Sequence, residues 1–563
     1  MTALAALLIL TWLYPLALAV AYMVRPRTSP WLVASAAGPA LVAALATPKG
    51  TALELPWVLL GARYGMDEVA QTFLFFTALL WLLAAIFGVG YLAKDNKRWR
   101  YSIYFLLAMT GNLGLIVAQD MGSFYTWYAL MSFASYGLVV HNGDEEARTA
   151  ARVYIILVMI GEVLLFAGLA MLFIASNSLA LDPAADPLAA ALIFASFGVK
   201  AGVVLLHVWL PLAHPAAPIP ASAVLSGAMI KAGVLGWLRF LNPVGALGEW
   251  GGFLIGVGLV TAFYGALIGV TQRNAKTVLA YSSISQIGLI TVACGAWLLT
   301  GRTDQAALTA VLLYVMHHGL AKGALFLGVG FAGVNRAAVA ALLLPALALA
   351  GFPLTSGAVA KAALKAATAT LPDGWPALLN GLLPLAAVGT TLLMARFLWL
   401  MATTAPQAKR PPKVMWGAWL ALLVGVASVL FVWPSAGSAV RDAFKPDSLW
   451  VATWPVLVGA LAAAIAPWVA RSIAWSPLPA GDALVLYAAA AVRLSQALRL
   501  AQNSIEGGER RLVAAFSMWR RQVAAADLAA SWELRLRSNW LLVGGALLGL
   551  TLALLWMVGA AIG

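Results

Sequence analysis

Residues 197–240 read FGVKAGVVLLHVWLPLAHPAAPIPASAVLSGAMIKAGVLGWLRF. The stretch is apolar enough to lie within a membrane, yet it carries Lys200, His207, His214 and Lys231. Pro211, Pro215, Pro218 and Pro220 exclude one continuous helix, because each lacks an amide donor and crowds the preceding turn. The reading is two membrane helices, the first ending in an irregular connection near the cytoplasmic face. Irregular backbone at membrane depth is tolerated only where it is buried in protein or lines a wet cavity. A lysine at the bilayer centre costs about 3 kcal/mol on insertion scales, so Lys200 and Lys231 are functional candidates by default. His207 and His214 border the connection, where imidazole could pass protons between water and Lys200; the alternative is that the rings tie loop carbonyls together.

The rest of the chain fits this setting. Of 563 residues 63% are hydrophobic and only 10% charged, which describes a polytopic all-α membrane protein. The formal charge of +14 is assigned to cytoplasmic loops, with no need for a nucleic-acid partner. A single cysteine, Cys294, supports no disulfide framework and no cysteine-ligated cluster. No phosphate loop, dinucleotide fingerprint or metal-ligand spacing is present, so no cofactor or metal is expected and no redox centre is assigned to this chain. Whether it serves an enzyme is left open. The first 24 residues read as a retained span rather than a signal peptide, lacking a basic start and a cleavage site.

On a ruler of about 20 residues per crossing, sixteen spans are expected. They lie near 2–24, 30–47, 70–92, 101–118, 121–140, 151–175, 188–209, 219–241, 252–271, 277–298, 305–331, 339–364, 378–402, 414–433, 449–470 and 538–562. Arg25, Arg27, Lys94, Lys97, Arg98 and Arg100 place the first basic loops in the cytoplasm, and the alternation puts Arg273, Lys276, Lys409, Arg410 and Lys413 there too. Both termini are then expected outside the cytoplasmic membrane. Residues 471–537 alternate basic and apolar positions, as in RLSQALRLAQ and RRLVAAFSMWRRQ, and predict an amphipathic arm in the membrane interface.

Other buried ionisable groups are Glu162 in VMIGEVLLF, His317 and His318 one turn before Lys322, and Lys361. The adjacent histidines point about 100° apart on a helix, which argues against a metal pair. Glycines such as those in GVGLVTAFYG read as helix-packing positions.

The opening segment, RNAKTVLAYSSISQIG at 273–288, YVMHHGLAKGALFLGVG at 314–330 and LALAGFPLTSGAVAKAALK at 347–365 together resemble the antiporter-like proton-translocating subunit family. It includes membrane subunits of respiratory complex I, large subunits of Mrp-type cation/proton antiporters and their counterparts in membrane-bound hydrogenases. The resemblance covers roughly residues 60–400. It implies two inverted five-helix repeats, each with a broken helix, at 101–241 and 252–402. Spans within 1–100 precede them, and 414–470, the 471–537 arm and a last span at 538–562 follow. It further implies half-channels meeting on a hydrophilic axis. Lys200 matches the family's seventh-span lysine, Lys231 the eighth-span lysine, His318 and Lys322 the H-x-x-x-K pair, and Lys361 the residue leading outward. Desolvation disfavours a charged buried amine and a nearby carboxylate restores it, so a moving carboxylate could load and unload a proton.

One departure stands out. DMGSFYTWYALMSFASY at 120–136 has Ala129 where the family has a glutamate. Glu162 is the expected replacement partner of Lys200; the alternative is that it only neutralises a buried lysine. Asn274 also stands where the family often has an acid, and Lys276 is an entry group or an ordinary positive-inside residue. The expected function is translocation of H⁺, with Na⁺ exchange left open, as one subunit of a hetero-oligomeric membrane complex. A cation-conducting partner of an inorganic-carbon uptake complex and a non-conducting structural subunit are the alternatives.

Overall fold

The computed structural model describes residues 3–59, 61–181, 184–243, 245–334, 336–372, 374–405, 410–472, 478–484, 487 and 493. The last expected span, 538–562, and nearly all of the expected arm at 471–537 lie outside the described residues. Contacts divide the chain into a main unit, 1–56 with 61–481, described below, and a second comprising 57–60 with 482–563.

The main unit begins with α1 (Ala3–Val24), α2 (Pro30–Ser35), α3 (Gly38–Ala46), an antiparallel hairpin of β1 (Thr51–Leu55) and β2 (Ala62–Met66), and α4 (Glu68–Tyr91). Then follow α5 (Arg98–Val117), α6 (Met121–Val139), α7 (Glu145–Ser176), α8 (Pro187–Ala201), α9 (Trp209–Ala216), α10 (Ile219–Val224), a π-helical turn Leu225–Met229 and α11 (Lys231–Phe240). The next block is α12 (Leu247–Val270), α13 (Ala275–Leu299), α14 (Gln305–Gly328), α15 (Arg336–Ala341), α16 (Leu343–Ala350), α17 (Ser356–Ala369) and α18 (Trp375–Thr403). The main helices end with α19 (Lys413–Val432), α20 (Gly437–Ala443) and α21 (Pro446–Ser472).

Each of the first fifteen expected spans coincides with a helix or a set of short helices, and eleven are long and apolar enough to cross a membrane without interruption. The other four are α2–α3, α6, α8 and α15–α17, so the figure of sixteen is not reached by uninterrupted spans among the described residues. The starts of these helices have a local cause. Asp67, Asp120, Asp144, Asp186, Asn274 and Asp304 each accept a backbone amide of the first turn of α4, α6, α7, α8, α13 and α14. Such a cap satisfies donors a helix leaves unpaired, and replacing one by alanine costs about 1 kcal/mol.

The order of three helices, a broken helix and a further helical segment occurs twice, as α5, α6, α7, α8–α9, α10–α11 and as α12, α13, α14, α16–α17, α18. The two breaks are built alike. Gly202 and Gly351 both adopt left-handed backbone, with φ of 80° and 81°, and three residues on Leu205 and Leu354 do so too, at 70° and 63°. Gly202 N and Val203 N both donate to Gly198 O, as Gly351 N and Phe352 N both donate to Leu347 O. This closes each first half-helix by the same left-handed glycine stop.

The first break corrects the sequence reading. The irregular stretch is residues 202–208, directly after Lys200, and the proline-rich 209–216 is helical. Pro211 lies in the first turn of α9, where its missing amide costs nothing, and Pro215 lies in the last turn. The hairpin was not foreseen: Arg63 N donates to Asp120 Oδ2 at 2.7 Å and Gln119 N to Arg63 O at 2.8 Å, fastening it to the junction of α5 and α6. Five-residue strands fall below a ruler set to membrane crossings.

The most enclosed elements are α13 and α14, whose apolar windows are buried along their whole length. Glycine pairing accounts for the close approach of α12 and α13, since a Cβ on Gly258 would come within 2.6 Å of Gly288 O.

Candidate functional site: a buried chain of lysines, histidines and one carboxylate

Lys200 sits in the last turn of α8, just before the glycine stop, and is 3% exposed. Its Nζ donates to Ser132 Oγ on α6 at 3.1 Å and to Tyr154 OH on α7 at 3.4 Å. The rings of Tyr128 and Tyr154 each lie 5.8 Å from it, within the range where an aromatic face attracts a cation. Trp209, the first residue of α9, donates its indole N–H to Val199 O at 2.7 Å and so closes the gap left by the break.

Glu162 lies on α7 and, among the described residues, shares burial only with one other carboxylate, Asp120. Asp120 is spent on the α6 cap and on Arg63 N. Both oxygens of Glu162 are without a hydrogen-bond partner. Its carboxylate and Lys200 line one small cavity of about 10 Å³ with Tyr128, Ser132, Ser196 and Trp209, roughly the space of one water. No ion pair joins them directly, since none is found within 4.0 Å among the described residues. Ser196 Oγ on the same wall is likewise unpaired. A buried carboxylate is costly unless a nearby charge offsets it, and Lys200 is the cation that lines the same cavity. The juxtaposition of residues 162 and 200 follows the sequence expectation; Ser132, Tyr154 and Ser196 were not singled out by it, being ordinary hydroxyls in helical sequence.

A second polar chain crosses between the repeats. The π-helical turn ends two residues before Lys231 and shifts the hydrogen-bond register, Ile230 N donating to Leu225 O. Lys231 Nζ donates to Ser226 O within this turn, and Ser226 Oγ meets Ser283 Oγ of α13 at 2.7 Å. The adjacent Ser282 Oγ accepts from Lys322 Nζ of α14, which also donates to Leu279 O at 2.8 Å. Lys231, Lys322 and His318 are each 0% exposed. Backbone approaches closely here: a Cβ on Gly227 would come within 2.8 Å of Gly319 O, so the turn passes α14 one residue beyond His318. Both ring nitrogens of His318 lack a hydrogen-bond partner.

Outward from this chain, His317 Nδ1 meets Ser356 Oγ at 2.9 Å, the first residue after the second break. Lys361 on α17 donates to Ala350 O, the end of the half-helix before that break. His207 packs against Tyr264 and Tyr281 at centroid distances of 5.0 and 6.3 Å. His214 stacks on Phe326 at 4.5 Å, and among the described residues its ring nitrogens have no hydrogen-bond partner, loop carbonyls included. Asn274 is the cap of α13, accepting from Lys276 N at 2.9 Å.

A pair missed in the sequence lies outside the spans. His141, 2% exposed, meets Asp95 Oδ2 at 2.7 Å, and Arg100 donates to its carbonyl at 2.9 Å. Burial pushes the His141 imidazole below its usual 6.5 despite the pull of Asp95. Burial also raises the Asp95 carboxyl, but the bond to His141 and the Lys97 amide outweigh it and hold it below 3.8.

Comparison with known proteins agrees with this architecture. Residues 118–375 match the family model described as "NADH:quinone oxidoreductase/Mrp antiporter, TM". Hydrogenase-4 component B of Escherichia coli is 28% identical over 284 residues, 47% of this chain and 42% of that one. NADH-quinone oxidoreductase subunit N of Desulforudis audaxviator is 29% identical over 341 residues, 54% of this chain and 66% of that one. The matched region thus spans less than two thirds of either relative. In fold, the chain superposes on a chain of the Mrp complex from Dietzia sp. DQ12-45-1b with TM-score 0.73 and 22% identity, covering 94% of this chain and 63% of that one.

Proposed function

We propose that this chain, an antiporter-like membrane subunit related to those of Mrp, hydrogenase and NADH-quinone oxidoreductase complexes, moves protons along its buried lysines and histidines within a multisubunit assembly. The observation that carries the reading is the cavity shared by Glu162 and Lys200, with the carboxylate facing an amine that is held by Ser132 and Tyr154. A carboxylate close to the amine favours its charged form, and withdrawal of the carboxylate lets desolvation expel the proton. The next proton carriers are Lys231 and Lys322, linked through Ser226, Ser283 and Ser282. His318 adjoins them and Lys361 leads outward. His207 lies in the break of the first broken helix and His214 in its second half, on the intake side. Proton transfer suits amines and imidazoles; Na⁺ would call for clustered oxygen ligands.

The test is proton flux into vesicles carrying the native assembly. E162Q and K200A should each lower flux by about a hundredfold, the scale of a positioned proton-transfer group. The paired change A129E/E162A should retain flux, because the carboxylate returns on α6, one residue from Tyr128 of the cavity wall. Unchanged flux in E162Q and K200A would leave a non-conducting structural subunit.

A further inference from the structure

The carbonyl end of α9 is held from both repeats at once. A helix end leaves its last carbonyls without intrahelical donors, and Pro218, the residue after the cap, has no amide to offer. Ala216, Ala217 and His214 are buried, so water does not substitute. Each of the four consecutive carbonyls 214–217 instead receives a side-chain donor. Ser222 Oγ of α10 donates to His214 O at 3.0 Å. Asn142 Nδ2, from the loop between α6 and α7, donates to Ala216 O at 2.9 Å. Lys276 Nζ, from the first turn of α13 in the second repeat, donates to Pro215 O at 3.3 Å and to Ala217 O. An ammonium is well placed at the negative end of a helix dipole.

We propose that Lys276 and Asn142 form a clamp that holds the C-terminal half of the first broken helix, and with it His214, so that the second repeat sets the position of the first repeat's intake group. Lys276 is on this account a positioning residue: it touches backbone, not the transported ion. Its charge is what matters, since one ammonium serves two carbonyls that no neutral side chain of similar length reaches together. The coupling part of the proposal rests on the proton-translocation reading above; the clamp itself does not.

Two measurements on the assembled complex separate these. Amide hydrogen exchange over 209–218 reports the clamp without reference to transport, and proton flux reports the coupling. Leaving buried carbonyls unpaired should speed exchange in K276M by about tenfold, with flux lowered at least fivefold. K276R should restore both, since it keeps the cation and its donors. N142A should give a smaller rise in exchange and keeps the test open should K276M fail to assemble. Unchanged exchange in both K276M and N142A overturns the clamp. Faster exchange with wild-type flux in K276M, in a preparation where K200A abolishes flux, overturns the coupling. If K200A leaves flux intact, the translocation reading fails and exchange alone decides the clamp.

Discussion

At the scale of single residues, the site is a set of charges kept where they are expensive. Four lysines, His214, His317, His318 and Glu162 lie among apolar helices; the lysines and His317 each meet one or two hydroxyls or carbonyls, and among the described residues His214, His318 and Glu162 have no hydrogen-bond partner. Outside the spans, His141 offers a titration that stability can report. Its folded-state value lies below 6.5 because burial disfavours the cation, so the unfolded chain binds the extra proton. Its contribution is therefore present above pH 6.5 and is lost as pH falls below that value. Asp95, held below 3.8, adds a loss in the same direction at more acid pH. The thermal midpoint of the purified protein should thus fall between pH 7.5 and 5.5, and H141N should flatten that slope; an unchanged slope would exclude His141 as its source.

At the scale of elements, the two breaks show how backbone chemistry places buried lysines. Lys200 is two residues before Gly202, and Lys361 reaches back across the second break to Ala350 O beside Gly351. A Cβ on Gly351 would come within 2.5 Å of Lys361 Cδ in a left-handed position that costs an L-residue about 1–2 kcal/mol. G351A should therefore lower stability by at least about 1 kcal/mol and displace Lys361, with a parallel loss of flux. Leu354 has left-handed backbone and a side chain 64% exposed, so L354G gives up little burial. Its thermal unfolding should show a gain of up to about 1 kcal/mol, and a loss would mean that the exposed leucine makes contacts with another subunit.

At the scale of the whole molecule, the basic loops should face the cytoplasm. Cys294 is buried within α13, so engineered cysteines at exposed loop positions report sidedness without removing it. K94C should react with an impermeant thiol reagent only from the cytoplasmic side, and E54C on the hairpin only from the other. The reverse pattern would invert every assignment of intake and exit made above. The hairpin side also carries Asp67, the cap of α4, which pairs with Arg239 at the end of α11. That pair ties the helices preceding the repeats to the end of the first one.

Much of this was legible in sequence because membrane insertion leaves a strong one-dimensional signal. Apolar runs of fixed length located the helices, and charges inside apolar runs named Lys200, Lys231, Lys322, Lys361 and Glu162. What sequence could not place were features created by contacts between distant segments. The break at 202–208 rather than at the prolines depends on Gly202 and on Trp209 reaching Val199 O. The serines at 132, 226, 282 and 283 come near the lysines only when α6, the π-helical turn and α13 pack together. Periodicity and hydropathy fix what a residue costs to bury. Which partner offsets that cost is settled by helices packing across as many as 68 residues of chain, as for Lys200 and Ser132, and only the tertiary structure decides it.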